Sequence, residues 1–267
     1  MIRNLLKKYK WCTSKPKKQV AVVIPIYKKE LNRYEVVSLD RCFRVLSQHQ
    51  IVIIKPPRLD VSFLKNDGYE FHVVEFPQEY FESVNSYSRL LLSSFFYERF
   101  LEYKYILIYQ MDSFVFQDDL LKWCRMDYDY IGAPWLGQTW PMMPTTRVEK
   151  VLYKTRFMRH LIKPRMVGNG GFSLRKIKSF MLALMLLRRD ANKFQLNEDM
   201  FWSLNVPKRL PFFKIPPVKL ALGFSIELEP KLAFELRDHQ LPFGCHAWEK
   251  FDINFWRLIF REYGYHI

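Results

Sequence analysis

Gln19 to Ile26 reads QVAVVIPI and Tyr105 to Phe116 reads YILIYQMDSFVF, two runs that are apolar almost throughout. A strand with one wet face alternates apolar and polar residues, so runs without alternation predict strands covered on both sides by helical layers. Residues 35 to 48 supply such a layer, with Val36, Leu39, Phe43 and Leu46 at helical spacing. Gln50 to Ile54, closed by Pro56-Pro57, and Phe71 to Phe76, after the Asp67-Gly68 turn, predict two more strands. Strand, helix, strand in this order predicts an α/β fold, a single Rossmann-like domain whose mostly parallel central sheet is flanked by helices.

Further along, one helix is predicted over 86 to 102, another from Phe180 to Asp190, a strand near Leu222 to Ile226 and a closing helix from Ile253 to Tyr263. The expected organisation is a basic segment at 1 to 18 and one domain from 19 to 267, with a basic insertion or acceptor loop at 136 to 166. At 49% hydrophobic and 17% aromatic residues the chain can fill one large core. No run reaches the roughly 18–20 apolar residues of a membrane span, and no secretory signal is legible at the start, so a cytoplasmic location is expected. Cysteines at 12, 42, 124 and 245 follow no metal-ligand or disulfide-scaffold spacing and are expected to be reduced thiols.

The net charge of +15 is concentrated. Residues 1 to 18 hold Arg3, Lys7, Lys8, Lys10, Lys15, Lys17 and Lys18 without an acid, beside Ile2, Leu5, Leu6 and Tyr9 at helical spacing. This suits either an amphipathic helix on the anionic inner face of the cytoplasmic membrane or a solvated basic tail. Nucleic acid is disfavoured as a partner, because the charge comes with no recognisable nucleic-acid-binding pattern.

Four groups of residues carry chemistry. Asp112 ends an apolar strand run, where open α/β sheets hold ligands, and a single carboxylate can help hold a divalent cation on a substrate phosphate. Gly168, Gly170 and Gly171 around Asn169 either make a tight turn or, by permitting positive φ and close approach of backbone, receive a sugar or pyrophosphate. Glu198 and Asp199 open a helix; adjacent acids cannot share one helix face, so one is expected to act as a general base and the other to position. His246, in PFGCHAW, is either structural or a ligand that completes a coordination shell; Trp135, Tyr109 and Trp248 are more often core rings than sugar platforms, and Trp248 is the best of them for stacking.

In order along the chain, VAVVIPIY (20–27), YILIYQMDSFVF (105–116), YDYIGAPW (128–135), VGNGGFSLR (167–175), NEDMFWS (197–203) and PFGCHAW (242–248) resemble a bacterial family of GT-A glycosyltransferases. That family is catalogued as a domain of unknown function and occurs in surface-polysaccharide gene clusters. The resemblance implies a GT-A-like domain, a nucleotide-sugar donor, a glycan or lipid-linked acceptor, and Mn2+ or Mg2+ held by an Asp-x-Asp element. Asp112 matches the last acid of that element and Gln110 stands in place of the first. Gly170 and Gly171 match the donor and acceptor loop, Asp199, with Glu198 as second choice, the base of an inverting enzyme, and His246 a late metal or diphosphate ligand. Pro25, Ile26, Tyr27 and Arg89 are expected to face the nucleotide and Trp248 the acceptor. Lys28, Lys29, Arg89 or Arg175 would supply positive charge to the diphosphate in the absence of a metal. A retaining transferase and an inactive glycan- or nucleotide-binding protein of the same fold are the alternatives.

Overall fold

The structure is a computed structural model that describes residues 14–136 and 167–267. Among these residues the main sheet has six strands, β1 (Lys18–Pro25), β2 (Gln50–Lys55), β3 (His72–Glu75), β4 (Tyr103–Tyr109), β6 (Tyr130–Ile131) and β7 (Phe172–Lys176), in the order β3-β2-β1-β4-β7-β6. β1 pairs in parallel with both β2 and β4, and β2 with β3. β7 runs antiparallel to both of its neighbours, β4 and β6.

Side chains of β1 go alternately to two cores, Ala21 and Val23 to one, Val20, Val22 and Ile24 to the other. This is why QVAVVIPI lacks alternation: both faces are dry. α1 (Arg33–Leu46) covers one face with Leu39, Cys42, Phe43 and Leu46. Its start is held by a capping box, in which Asn32 Oδ1 accepts the Tyr34 and Glu35 amides and Glu35 Oε2 accepts the Asn32 amide. The other face is covered by α2 (Val84–Leu91), α3 (Ser94–Glu98) and α4 (Ile177–Leu186), through Leu90, Leu91, Phe96 and Phe180.

The single helix predicted over 86 to 102 is two helices. Ser93 adopts an extended conformation, donates to Leu90 O at 2.7 Å and accepts the Phe96 amide, so one side chain closes α2 and opens α3. The run from Tyr105 to Phe116 also divides. β4 stops at Tyr109, and β5 (Ser113–Val115) turns away into a second sheet of order β5-β9-β8, with β8 (Ser225–Ile226) and β9 (Gly244–His246). The predicted strand near Leu222 is helical over Val218–Phe224, leaving only Ser225 and Ile226 extended.

A third core lies under the small sheet, where Phe114, Phe116, Trp248, Trp256 and Phe260 meet α5 (Ile253–Glu262). Arg41 fastens this layer to α1, donating to Val115 O at 2.8 Å and Phe116 O at 2.6 Å. No helix among the described residues is long and apolar enough to cross a membrane. The amphipathic expectation for residues 1 to 18 falls mostly on residues outside those described, as does nearly all of the loop at 136 to 166.

Candidate active site

The corner between the two sheets carries the first half of the site. Gln110 donates its amide hydrogen to Gly171 O at 2.8 Å and the Ser113 amide returns to Gln110 O at 2.9 Å, so Asp112 lies in a turn at the carboxyl end of β4. Pairing of β5 with β9 sets Ser113 opposite His246. Asp112 Oδ1 is 3.0 Å from His246 Nε2, and Gln110 Oε1 is 3.3 Å from the same nitrogen. Parallel pairing of β8 with β9 sets Ile226 against Cys245, so Glu227 falls beside His246, its Oε1 2.9 Å from Nδ1. The turn after β9, with Ala247 at a left-handed φ of 50°, brings Lys250 Nζ to 3.0 Å from Asp112 Oδ2.

Burial alone would hold His246 neutral, but the carboxylates of Asp112 and Glu227 outweigh it and raise the ring to about 10. Burial likewise opposes a charge on Asp112, yet His246 and Lys250 hold its carboxyl well below the usual range. At neutral pH this half is therefore an acid, imidazolium, acid chain with an ammonium at one end.

The second half is built on Arg175 of β7, which is wholly buried. All five of its N–H groups find acceptors: Nε on Ser173 Oγ at 3.0 Å, Nη1 on Tyr97 Oη at 3.1 Å and Glu198 Oε2 at 3.2 Å, Nη2 on Gly170 O at 3.2 Å and Glu198 Oε1 at 2.8 Å. Both oxygens of Glu198 are thus committed to one guanidinium, which removes Glu198 as an alternative base and corrects Arg175 as a source of charge for a diphosphate. Asp199 is left partly exposed, accepting only the Met200 amide at 2.8 Å among the described residues. Burial first, then the charges of Glu198 and Glu227, raise its carboxyl to about 7.

The loop Asn169-Gly170-Gly171 joins the halves. Asn169 Oδ1 accepts the Gly171 amide at 2.6 Å and the Phe172 amide at 2.8 Å, which holds the loop in a tight turn. A Cβ on Gly170 would lie 2.7 Å from Glu198 Oε1, and one on Gly171 would overlap His246 Nε2. Close approach requires these glycines, and positive φ does not, since the glycines with positive φ among the described residues are Gly68 and Gly264. Gly171→Ala is expected to displace the His246 ring and cost about 1–3 kcal/mol. Urea denaturation measures the cost, and unchanged stability would show that the ring has room to move.

Pro25 and Ile26 are buried, and of the three residues at the end of β1 only Tyr27, 51% exposed, offers its side chain to solvent. Lys28 is paired with Glu35 at 2.8 Å. Arg89 is exposed on α2, and no hydrogen bond or ion pair among the described residues links it to the Asp112 cluster. The expectation for Trp248 is corrected. Its ring is wholly buried, edge-on to Tyr34 and Phe260, because the turn after His246 folds it into the third core, so no face is open for a sugar.

Glu227 and Lys250 were not legible as site residues. Glu227 follows a two-residue strand that no periodicity marks, and Lys250 is one of 42 basic residues. Among the described residues no group of three or more His, Cys, Asp or Glu side chains is arranged to hold a metal.

The mostly parallel central sheet flanked by helices is a GT-A-like fold. The chain belongs to the family described as "Protein of unknown function (DUF5672)", whose profile matches residues 70–246, roughly two thirds of its length. No curated protein sequence matches it. Among solved structures, mouse xyloside xylosyltransferase 1 in its apo form is similar at a TM-score of 0.51 and 12% identity, over 85% of this chain and 97% of that one. The apo-form glycosyltransferase GlyE of Streptococcus pneumoniae TIGR4 has a TM-score of 0.46 and 11% identity over 86% of this chain, which spans 54% of that chain's length.

Proposed function

We propose that the protein transfers a sugar from a nucleoside-diphosphate-sugar donor to a hydroxyl of a growing surface glycan, with inversion at the anomeric carbon. The observation that carries this function is Asp199, a carboxyl raised to about 7 beside a glutamate immobilised by Arg175. A base with a pKa near neutrality is ionised in useful amounts and still basic enough to take a proton from an attacking hydroxyl. Asp199 accepts that proton as the acceptor oxygen bonds to the anomeric carbon. The bond from that carbon to the diphosphate oxygen breaks, and its electron pair leaves with the diphosphate.

The departing diphosphate belongs at the Asp112 end, where the Lys250 ammonium supplies charge complementary to it. Tyr27, with the backbone at Pro25 and Ile26, would face the nucleotide, as would Arg89. Asp112 Oδ1 and Gln110 Oε1 both converge on His246 Nε2, a donor set of two oxygens and one nitrogen that fits Mn2+ or Mg2+. Asp112, Gln110 and His246 would hold such a cation, His246 through Nε2 once that nitrogen gives up the hydrogen it shares with Asp112. Bound there, the cation supplies positive charge to the leaving group.

Treatment with EDTA and Asp112→Asn are each expected to lower transfer at least ~100-fold, within the range spanned by a lost electrostatic stabiliser. Rates unaffected by both would eliminate the cation. The donor is sought by thermal shift across a panel of nucleotide sugars with and without Mn2+. Proton NMR of the product then decides the stereochemistry, and a retained anomeric configuration would remove Asp199 as base in an inverting displacement.

Gln110 in place of an acid, with both Asp112 oxygens already engaged by His246 and Lys250, favours a second function, binding of a nucleotide or glycan without turnover. Nucleotide-sugar binding with neither hydrolysis nor transfer would select it.

A further inference from the structure

We propose that Glu227 is the positioning residue that makes His246 a cation ligand, an assignment that rests on the metal proposed above. Glu227 Oε1 lies 2.9 Å from His246 Nδ1, and a carboxylate can only accept. The ring hydrogen on Nδ1 is therefore held there, and Nε2, facing Asp112 Oδ1 at 3.0 Å and Gln110 Oε1 at 3.3 Å, is the atom that gives up its hydrogen and offers a lone pair when a cation binds.

Asn169 works the other way. Its Oδ1 is occupied by the Gly171 and Phe172 amides, so the group 3.0 Å from Nδ1 is the Nδ2 amide, which can only donate. Left to Asn169 alone, Nδ1 would accept and Nε2 would keep its hydrogen on Asp112, closed to a cation. A charge-assisted hydrogen bond is roughly twice as strong as a neutral one, so Glu227 prevails. A turned ring would lose Glu227 from Nδ1 and Asp112 from Nε2 together. Glu227 thus acts on the position of a hydrogen and leaves the packing of the ring to its neighbours. Carboxylate partners of metal-binding imidazoles act in this way generally, and their loss weakens metal binding about 10–100-fold.

The experiment uses Mn2+ as its own probe on the full chain. EPR titration gives its affinity, and 14N modulation in pulsed EPR reports whether an imidazole nitrogen is bound to it. Wild type is expected to bind Mn2+ with nitrogen modulation. Glu227→Ala is expected to bind about 10–100-fold more weakly and to lose the modulation. Glu227→Gln, whose amide oxygen can still accept from Nδ1, is expected to keep the modulation with a smaller loss of affinity. Unchanged affinity and modulation in Glu227→Ala would overturn the assignment. So would a wild type that binds Mn2+ without nitrogen modulation, which would leave Asp112 as a ligand without His246. A wild type that binds no Mn2+, with or without a nucleoside diphosphate present, overturns the metal itself and the assignment with it, while transfer in EDTA would keep the transferase.

Discussion

Asp199→Asn is expected to lower sugar transfer by about 10^2–10^4-fold, the span of a lost general base, while nucleotide binding stays close to wild type. The wild-type rate should fall as pH drops below about 7, the value to which burial, Glu198 and Glu227 raise this carboxyl. The stability change has the opposite sign to the activity change. A carboxyl raised from 3.8 to about 7 by folding binds a proton more tightly in the folded chain than in the unfolded one. The stability this contributes is complete below the unfolded value and is lost as pH rises through the folded one. The amide that replaces the carboxyl carries no charge at any pH and can still accept the Met200 amide hydrogen. The variant should therefore be more stable than wild type at pH 8, by on the order of 1–3 kcal/mol, with the advantage fading toward pH 4. Urea denaturation at the two pH values, with initial rates of transfer, tests both halves. Turnover by the variant, or an advantage that ignores pH, would take the base role away from Asp199.

Arg175→Leu should be the most destabilising single change in the site. It leaves the buried Glu198 carboxyl with no counter-charge, and breaking a buried pair in this way costs about 3–5 kcal/mol. The Tyr97 hydroxyl, Ser173 Oγ and Gly170 carbonyl lose a donor at the same time. The double variant Arg175→Leu/Glu198→Leu removes both charges and should recover a large part of the loss, so the comparison remains readable where the single variant is poorly folded. Arg175→Lys is not expected to rescue, since one ammonium has three hydrogens for five acceptor positions spread across a plane. Denaturant midpoints measure the series. A single-variant cost below about 1 kcal/mol would mean that water or another cation reaches Glu198, and that Asp199 is not held by this clamp.

Much of the fold was legible because long-period patterns survive without knowledge of neighbours. QVAVVIPI announced a strand dry on both faces, and residues 35 to 48 announced the helix covering it. Breaks inside such patterns were harder to see. Leu92-Ser93 looks like the middle of a helix until Ser93 is found bonding in both directions, and Gln110 to Asp112 looks like strand until β5 leaves for another sheet.

The site divides along the same line. Asp112, His246, Gly170, Gly171, Glu198 and Asp199 were visible as candidates because carboxylates, imidazoles and clustered glycines at the ends of apolar runs are costly unless they do something. Trp248 took the core alternative and not the stacking one, for a related reason. Its sequence neighbours are polar or turn-forming, but a residue one step beyond a left-handed turn takes its direction from the chain's path, which here leads into a core.

The amino-acid order alone determined that the chain is a mostly parallel α/β domain with a carboxylate at the end of a central strand, because dry strands and amphipathic helices are written in local periodicity. Only the tertiary structure decided which acid of the Glu198-Asp199 pair is free, since that depends on Arg175, 23 positions away, reaching Glu198. It also brought Glu227 and Asn169 to opposite duties on His246, through strand register and a loop turn that join residues 19 and 77 positions from it. Pairings across such distances leave no local pattern, because each partner satisfies its own stretch of chain equally well with or without the other.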